Sequence, residues 1–134
     1  VNRTTKLIAY AWAAPATTIG LLLGLLAVRG GRAAVEGGVL EIHGPLLRWV
    51  LTRLTLVRGG VAAITFGHVV LGRDGETLTW SRDHERVHVA QYERWGPFFL
   101  PAYVVASLWA LASGGDFYRD NYFERAARAE AGDS

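Results

Sequence analysis

Charged side chains are spread unevenly along this chain, and the gaps between them outline its elements. From Leu7 to Val28 no charge occurs, and Arg3, Lys6, Arg29 and Arg32 bracket the run. Built as a helix it measures roughly 33 Å, enough to cross a hydrocarbon core of about 30 Å. The stretch predicts a transmembrane helix, with Pro15 and the pair Thr17 and Thr18 as places where it bends, which a membrane helix tolerates better than a soluble one. Ala16, Gly20 and Gly24 fall four apart. They make a helix-packing face suited to another transmembrane helix, either from a second copy or from a larger membrane complex. No small-residue cleavage site follows, so the run is not a secretory signal.

After Gly30 and Gly31 the period changes. Ala33 to His43 reads as a strand, with Gly37 and Gly38 as a bend or hairpin turn. Pro45 to Val57 fits two readings. Leu46, Leu47, Trp49, Val50, Leu54 and Val57 make either an interfacial helix with Arg48 and Arg53 or a second strand pair. Val61 to Leu71, rich in valine, predicts a strand, and a turn at Arg73 to Glu76 leads to a short run, Thr77 to Trp80. Ser81 to Trp95 reads as a helix, with Ser81 as N-cap, Asp83 and Glu85 in the first turn, and Gly96 with Pro97 ending or bending it. His84, His88, Gln91 and Trp95 share one stripe, and Arg82, Arg86 and Glu93 the opposite one. The histidines should therefore face inward and the charges water.

Trp95 to Gly115 is again free of charge. Pro97 and Pro101 leave an uninterrupted helix of about Ala102 to Ser113, too short to cross, and so a core helix resting at most in the membrane interface. A last helix begins near Asp120, and Ala129 to Ser134 frays. The predicted fold class is α+β: residues 1–32 form a membrane helix with its flanks, and residues 33–134 a small sheet with helices.

Composition changes the picture in three ways. A hydrophobic share of 51% with five tryptophans in 134 residues is high for a soluble domain and adds to the membrane reading. The absence of cysteine removes disulfides and thiolate ligands. The first 60 residues hold many arginines and only Glu36 and Glu41 as acids, which suits the anionic surface of a lipid bilayer. No basic-aromatic nucleic-acid motif is visible. Arg29, Arg32, Arg48, Arg53 and Arg58 outnumber Arg3 and Lys6, which places the folded part on the cytoplasmic side.

The chemistry centres on His84-Glu85-Arg86-Val87-His88. At about 100° per residue, positions four apart nearly eclipse, so both imidazoles leave one face of the helix one turn apart. Two nitrogens at that spacing can hold one zinc ion, and the Glu85 carboxylate beside them can take a proton from the attacking water and pass it to the leaving group. A zinc site needs a third ligand. Glu124 is favoured, with Asp120 and Asp116 behind it, and Tyr118, Arg119 or Tyr122 would stabilise the oxyanion. His68 reads as a core histidine before it reads as a ligand.

This helix pair resembles the gluzincin branch of zinc metallopeptidases, in which a His-Glu-x-x-His helix precedes a helix donating a glutamate. More narrowly, HERVHVAQYERWGPFFLPAY followed by GGDFYRDNYFERAA is similar to a group of small, uncharacterised bacterial proteins. The resemblance covers Ala62 to about Ala127, most strongly Asp83 to Ala127. It implies zinc on His84, His88 and Glu124, Glu85 as general base, a peptide substrate and a bacterial inner-membrane location. The chain departs from the pattern in two ways. Arg82 and Arg86 put charge around the histidines, and Arg128 stands where thermolysin-like members carry an acid that orients a ligand histidine. The function expected is a membrane-anchored zinc metallopeptidase. The alternative is a non-catalytic accessory subunit of a larger membrane complex built on a peptidase-derived fold.

Overall fold

The computed structural model describes residues 3–27, 29–53 and 61–132. Leu54, Val57 and Arg58 lie outside the described residues, as does Val28. The elements run α1 (Arg3–Ala27), β1 (Arg32–Glu36), β2 (Val39–His43), α2 (Pro45–Arg53), β3 (Ala63–Phe66), β4 (Val69–Gly72), α3 (Gly75–Trp95), a 3-10 turn (Gly96–Phe98), α4 (Phe99–Ala112) and α5 (Tyr122–Ala131). Mixed helix and sheet was the expected class, and the N-terminal apolar helix is present. Two stretches, Arg3–Leu25 and Gly75–Ala112, are long and apolar enough to cross a membrane.

The sheet has the order β1-β2-β4-β3. β1 and β2 form the hairpin foreseen at Gly37 and Gly38, both at positive φ. β2 pairs with β4 in parallel and β3 with β4 antiparallel. The single strand expected over Val61 to Leu71 is thus two strands, reversed at Gly67 and His68. Gly67 takes a φ of 62°, and the turn lies against α1, where a Cβ would sit 2.6 Å from the Thr17 amide nitrogen. Only glycine fits both demands, and a valine-rich flank gave no polar turn signal.

Alternation along the strands divides the sheet between two helical layers. Ile42, Val69 and Leu71 join Leu47 of α2 on one side, where α1 also packs. Val39, Ala63 and Val70 meet Leu78 and Val89 of α3 on the other. α1 buries Ala13, Ala16, Gly20 and Gly24 on its inner stripe. A Cβ on Gly20 would lie 2.8 Å from that of Val69, and one on Gly24 would overlap Ile42. Ala16 packs with Tyr92, Phe99 and Phe123. The face expected to receive another membrane helix is therefore filled by the chain's own sheet and helices. For the same reason α1 is a layer of the fold, in contact with β3, β4, α3 and the 3-10 turn, where the sequence set 1–32 apart.

α3 begins at Gly75, nearly two turns before the helix expected from Ser81. Asp74 is the N-cap, its carboxylate accepting from the Thr77 amide at 2.7 Å. Thr77 to Trp80 is helical, and Ser81 lies inside, its hydroxyl donating to the Thr77 carbonyl at 2.7 Å. The helix ends at Gly96, φ 58°, whose amide donates to the Tyr92 carbonyl. The two prolines do not shorten α4 as far as expected. Pro97 falls in the 3-10 turn and Pro101 in the first turn of α4, where an amide has no helical partner to lose.

Candidate metal centre

α3 carries His84, Glu85 and His88, and α5 brings Glu124 against them. Local sequence fixes the start of α5. Asn121, fully buried, accepts from the Phe123 amide at 2.8 Å and donates to the Tyr103 carbonyl at 3.0 Å and to Ser107 Oγ at 2.8 Å. One residue thus caps α5 and ties it to α4, which sets the depth at which Glu124 enters.

Glu124 Oε1 lies 3.1 Å from His84 Nε2 and 3.1 Å from His88 Nε2. The ligand atoms of the three residues fall within 4.8 Å of one another, so the group can hold a metal ion. Glu124 Oε2 accepts from the Tyr103 hydroxyl at 2.5 Å. Gln91 donates from Nε2 to the Phe123 carbonyl, which turns its Oε1 toward His88 Nδ1 at 2.8 Å. Nδ1 therefore donates, and Nε2 is the nitrogen left for a ligand bond. The donor set fits a metal: two imidazole nitrogens and a carboxylate oxygen converge, with His88 Nδ1 held by Gln91 and Glu124 Oε2 held by Tyr103.

Electrostatics follow this arrangement. Burial opposes a charge on His88, but the hydrogen bond and charge of Glu124 outweigh it and raise the pKa to about 9. Burial would raise Glu124, yet its bonds to His84 and His88 hold it well below the usual carboxylate range. Glu85 goes the other way. It is buried, which raises its pKa against the pull of His88 and His84. Its Oε1 accepts from Thr65 Oγ1 at 2.9 Å, so β3 holds the carboxylate in place.

Glu85, His88 and Glu124 open onto a cavity of about 270 Å³. Its other walls are mainly apolar, among them Ile64, Phe66, Phe99 and Phe117, with Tyr118 as a polar exception beside Tyr103. Of the three residues offered as oxyanion stabilisers, Tyr118 alone lines this cavity. Tyr122 is exposed on the outer face of α5, and Arg119 is tied by its carbonyl to Arg128. Asp116 and Asp120 lie outside the group. They knit the loop before α5, Asp116 accepting from the amides of Tyr118 and Arg119, and Asp120 from that of Asp116.

The charges expected to face water are only partly exposed, and each is paired. Arg82 makes a bidentate pair with the buried Glu41 at 2.9 Å, and Arg86 reaches the same carboxylate at 3.0 Å and the Glu36 carbonyl. Glu93 pairs with buried His68 at 2.8 Å, and that imidazole stacks on Tyr10. Arg82 and Arg86, out of place in the metallopeptidase pattern, clamp α3 onto β2. His68 is the core histidine the sequence favoured, though only its Nε2 is satisfied; its buried Nδ1 has no hydrogen-bond partner among the described residues. Sequence reasoning missed Tyr103 and Thr65, and a hydroxyl inside a chargeless run was the one signal for Tyr103.

No protein-family model matches this chain, and no match was found among curated proteins or solved structures.

Proposed function

We propose that the protein is a membrane-associated zinc metallopeptidase, with zinc on His84, His88 and Glu124. The observation that carries this reading is one Glu124 oxygen equidistant from two imidazole nitrogens at the wall of a cavity that Glu85 also lines. Two imidazoles and one carboxylate are a donor set that zinc accepts while keeping a coordination position open. Zinc there supplies Lewis-acid polarisation of the scissile carbonyl.

The chain's own groups do the rest. Glu85, held by Thr65, takes the proton of the attacking water and delivers it to the leaving amine. Tyr118 donates to the oxyanion. Tyr103 keeps Glu124 turned toward the imidazoles. The apolar walls select a peptide with an apolar side chain beside the cleaved bond. The accessory-subunit reading drew its support from the face of Ala16, Gly20 and Gly24, which the chain itself covers, and from the charge departures at Arg82, Arg86 and Arg128, of which the first two serve to pair with Glu41.

Zinc content and peptide cleavage, measured on the same preparations, test this reading. His84→Ala, His88→Ala and Glu124→Ala should lose zinc. Glu85→Gln should keep it and lose cleavage by about 10²-fold or more. Stoichiometric zinc surviving all three ligand substitutions, or cleavage unchanged in Glu85→Gln, would falsify it.

A further inference from the structure

We infer that α1 and α4 lie in the plane of one membrane leaflet, each with its outer face in the lipid, and that α1 does not cross. Its length permits crossing; its packing argues against it. From Tyr10, whose hydroxyl donates to the Gly38 carbonyl, to Gly24, which lies on Ile42, the sheet runs alongside the helix. That is roughly 21 Å of helix at 1.5 Å per residue. A crossing α1 would draw the sheet with it into hydrocarbon. β1 is an edge strand with every residue exposed, including Arg32 and Glu36. An open sheet edge and two charges have no partners in lipid.

The outer face of α1 is nonetheless unsuited to water. No charge interrupts it between Lys6 and Arg29, and Ile19, Leu22 and Leu25 are exposed on it. The outer face of α4 exposes Val105, Leu108 and Trp109. Trp12 and Phe98, both exposed, meet at 6.0 Å between ring centroids and join the two faces into one. An apolar surface of this extent requires a cover.

Charge selects the cover. Arg3, Lys6, Arg29 and Arg32 stand at the ends of α1, and Arg48 and Arg53 lie on neighbouring α2, in contact with α1 and with Trp49 exposed between them. Of the two acids in this half of the chain, Glu41 is neutralised by Arg82 and Arg86. An apolar face with a basic rim and an exposed tryptophan beside it matches an anionic phospholipid surface. A protein partner with an apolar face would not need that rim.

This inference rests on the membrane association proposed above and is independent of zinc and cleavage. The chain contains no cysteine, so single cysteines report position cleanly. Thr4→Cys and Ala33→Cys place one thiol near each end of α1. In a bacterial host membrane, both should react with a membrane-impermeant maleimide in the same preparation, either right-side-out or inverted vesicles. Labelling of one thiol in each preparation means a crossing helix and overturns the inference. On the purified chain, Leu22→Lys and Trp109→Lys should each weaken binding to phosphatidylglycerol vesicles about tenfold or more, with an unchanged circular-dichroism spectrum as evidence of folding. Absence of vesicle binding by the unaltered chain, with a dimer that either substitution dissociates, would show a second copy as the cover and overturn the lipid assignment.

Discussion

Tyr103 donates its hydroxyl hydrogen to Glu124 Oε2 at 2.5 Å, which leaves Oε1 facing the two imidazoles. The donor belongs to a helix otherwise without charge, so one apolar element contributes its polar tip to the centre. Tyr103→Phe should keep the fold and weaken zinc binding by about 10- to 100-fold, the usual effect of losing a group that orients a ligand. Competition with a chromophoric chelator measures this. Unchanged affinity would show that the carboxylate holds its orientation without the hydroxyl.

Zinc should also stabilise the fold, because the ligands proposed for it come from α3 and α5 and are assembled only in the native state. Free zinc at a thousand times its dissociation constant contributes about 4 kcal/mol, roughly 10 °C or more in Tm for a domain of this size. Chelation should reverse the shift. His88→Ala should abolish it, and a shift persisting in that variant would place the stabilising metal elsewhere.

Glu41 gives the acid limb of stability a specific origin. Burial would raise its pKa, but the Arg82 and Arg86 guanidiniums outweigh burial and hold it below 4.5. A carboxyl depressed in the folded state stabilises above its unfolded value and loses that contribution as pH falls through the folded one. Denaturant midpoints should therefore drop below pH about 4.5, and Glu41→Gln should flatten that decline. At pH 7 the substitution should cost about 2 kcal/mol, less than a fully buried pair because both guanidiniums are partly exposed.

The two stripes of α1 should respond differently to bulk. Gly24→Leu forces a side chain into Ile42 and should destabilise by about 3 kcal/mol or more. Leu22→Ala, on the exposed outer stripe, should change the stability of the chain by about 0.5 kcal/mol or less. Chemical denaturation of both variants in mild detergent makes the comparison, and equal effects would contradict the packing of α1 on the sheet.

Local spacing was sufficient for several features. The eclipsed pair His84 and His88 follows from helical geometry alone, and Gly37 with Gly38 announced a hairpin because paired glycines accept positive φ. Glu124 was reachable as well, since few acids follow the histidine helix and a second helix was visible there. Asp74 as the N-cap was not reached. Ser81 offered an equally good local signal, and only the fit of Leu78 against Val39, Ala63 and Val70 of the sheet decides between them.

The sequence by itself determined the apolar helices, the glycine turn at Gly37 and the eclipsed pair His84 and His88, because these depend on periodicity and spacing within one element. The tertiary structure alone decided what those elements face. Gly20 and Gly24 have the same spacing whether they meet a foreign helix or their own sheet, and only the position of Val69 and Ile42 shows which. Arg82 and Arg86 read as water-facing until β2 brings Glu41 between them, 41 and 45 residues away in the chain. Tyr103 reads as core until α5 packs on α4. In each case the deciding contact is long-range, and the free energy that favours it comes from burying surfaces whose partner no local window contains.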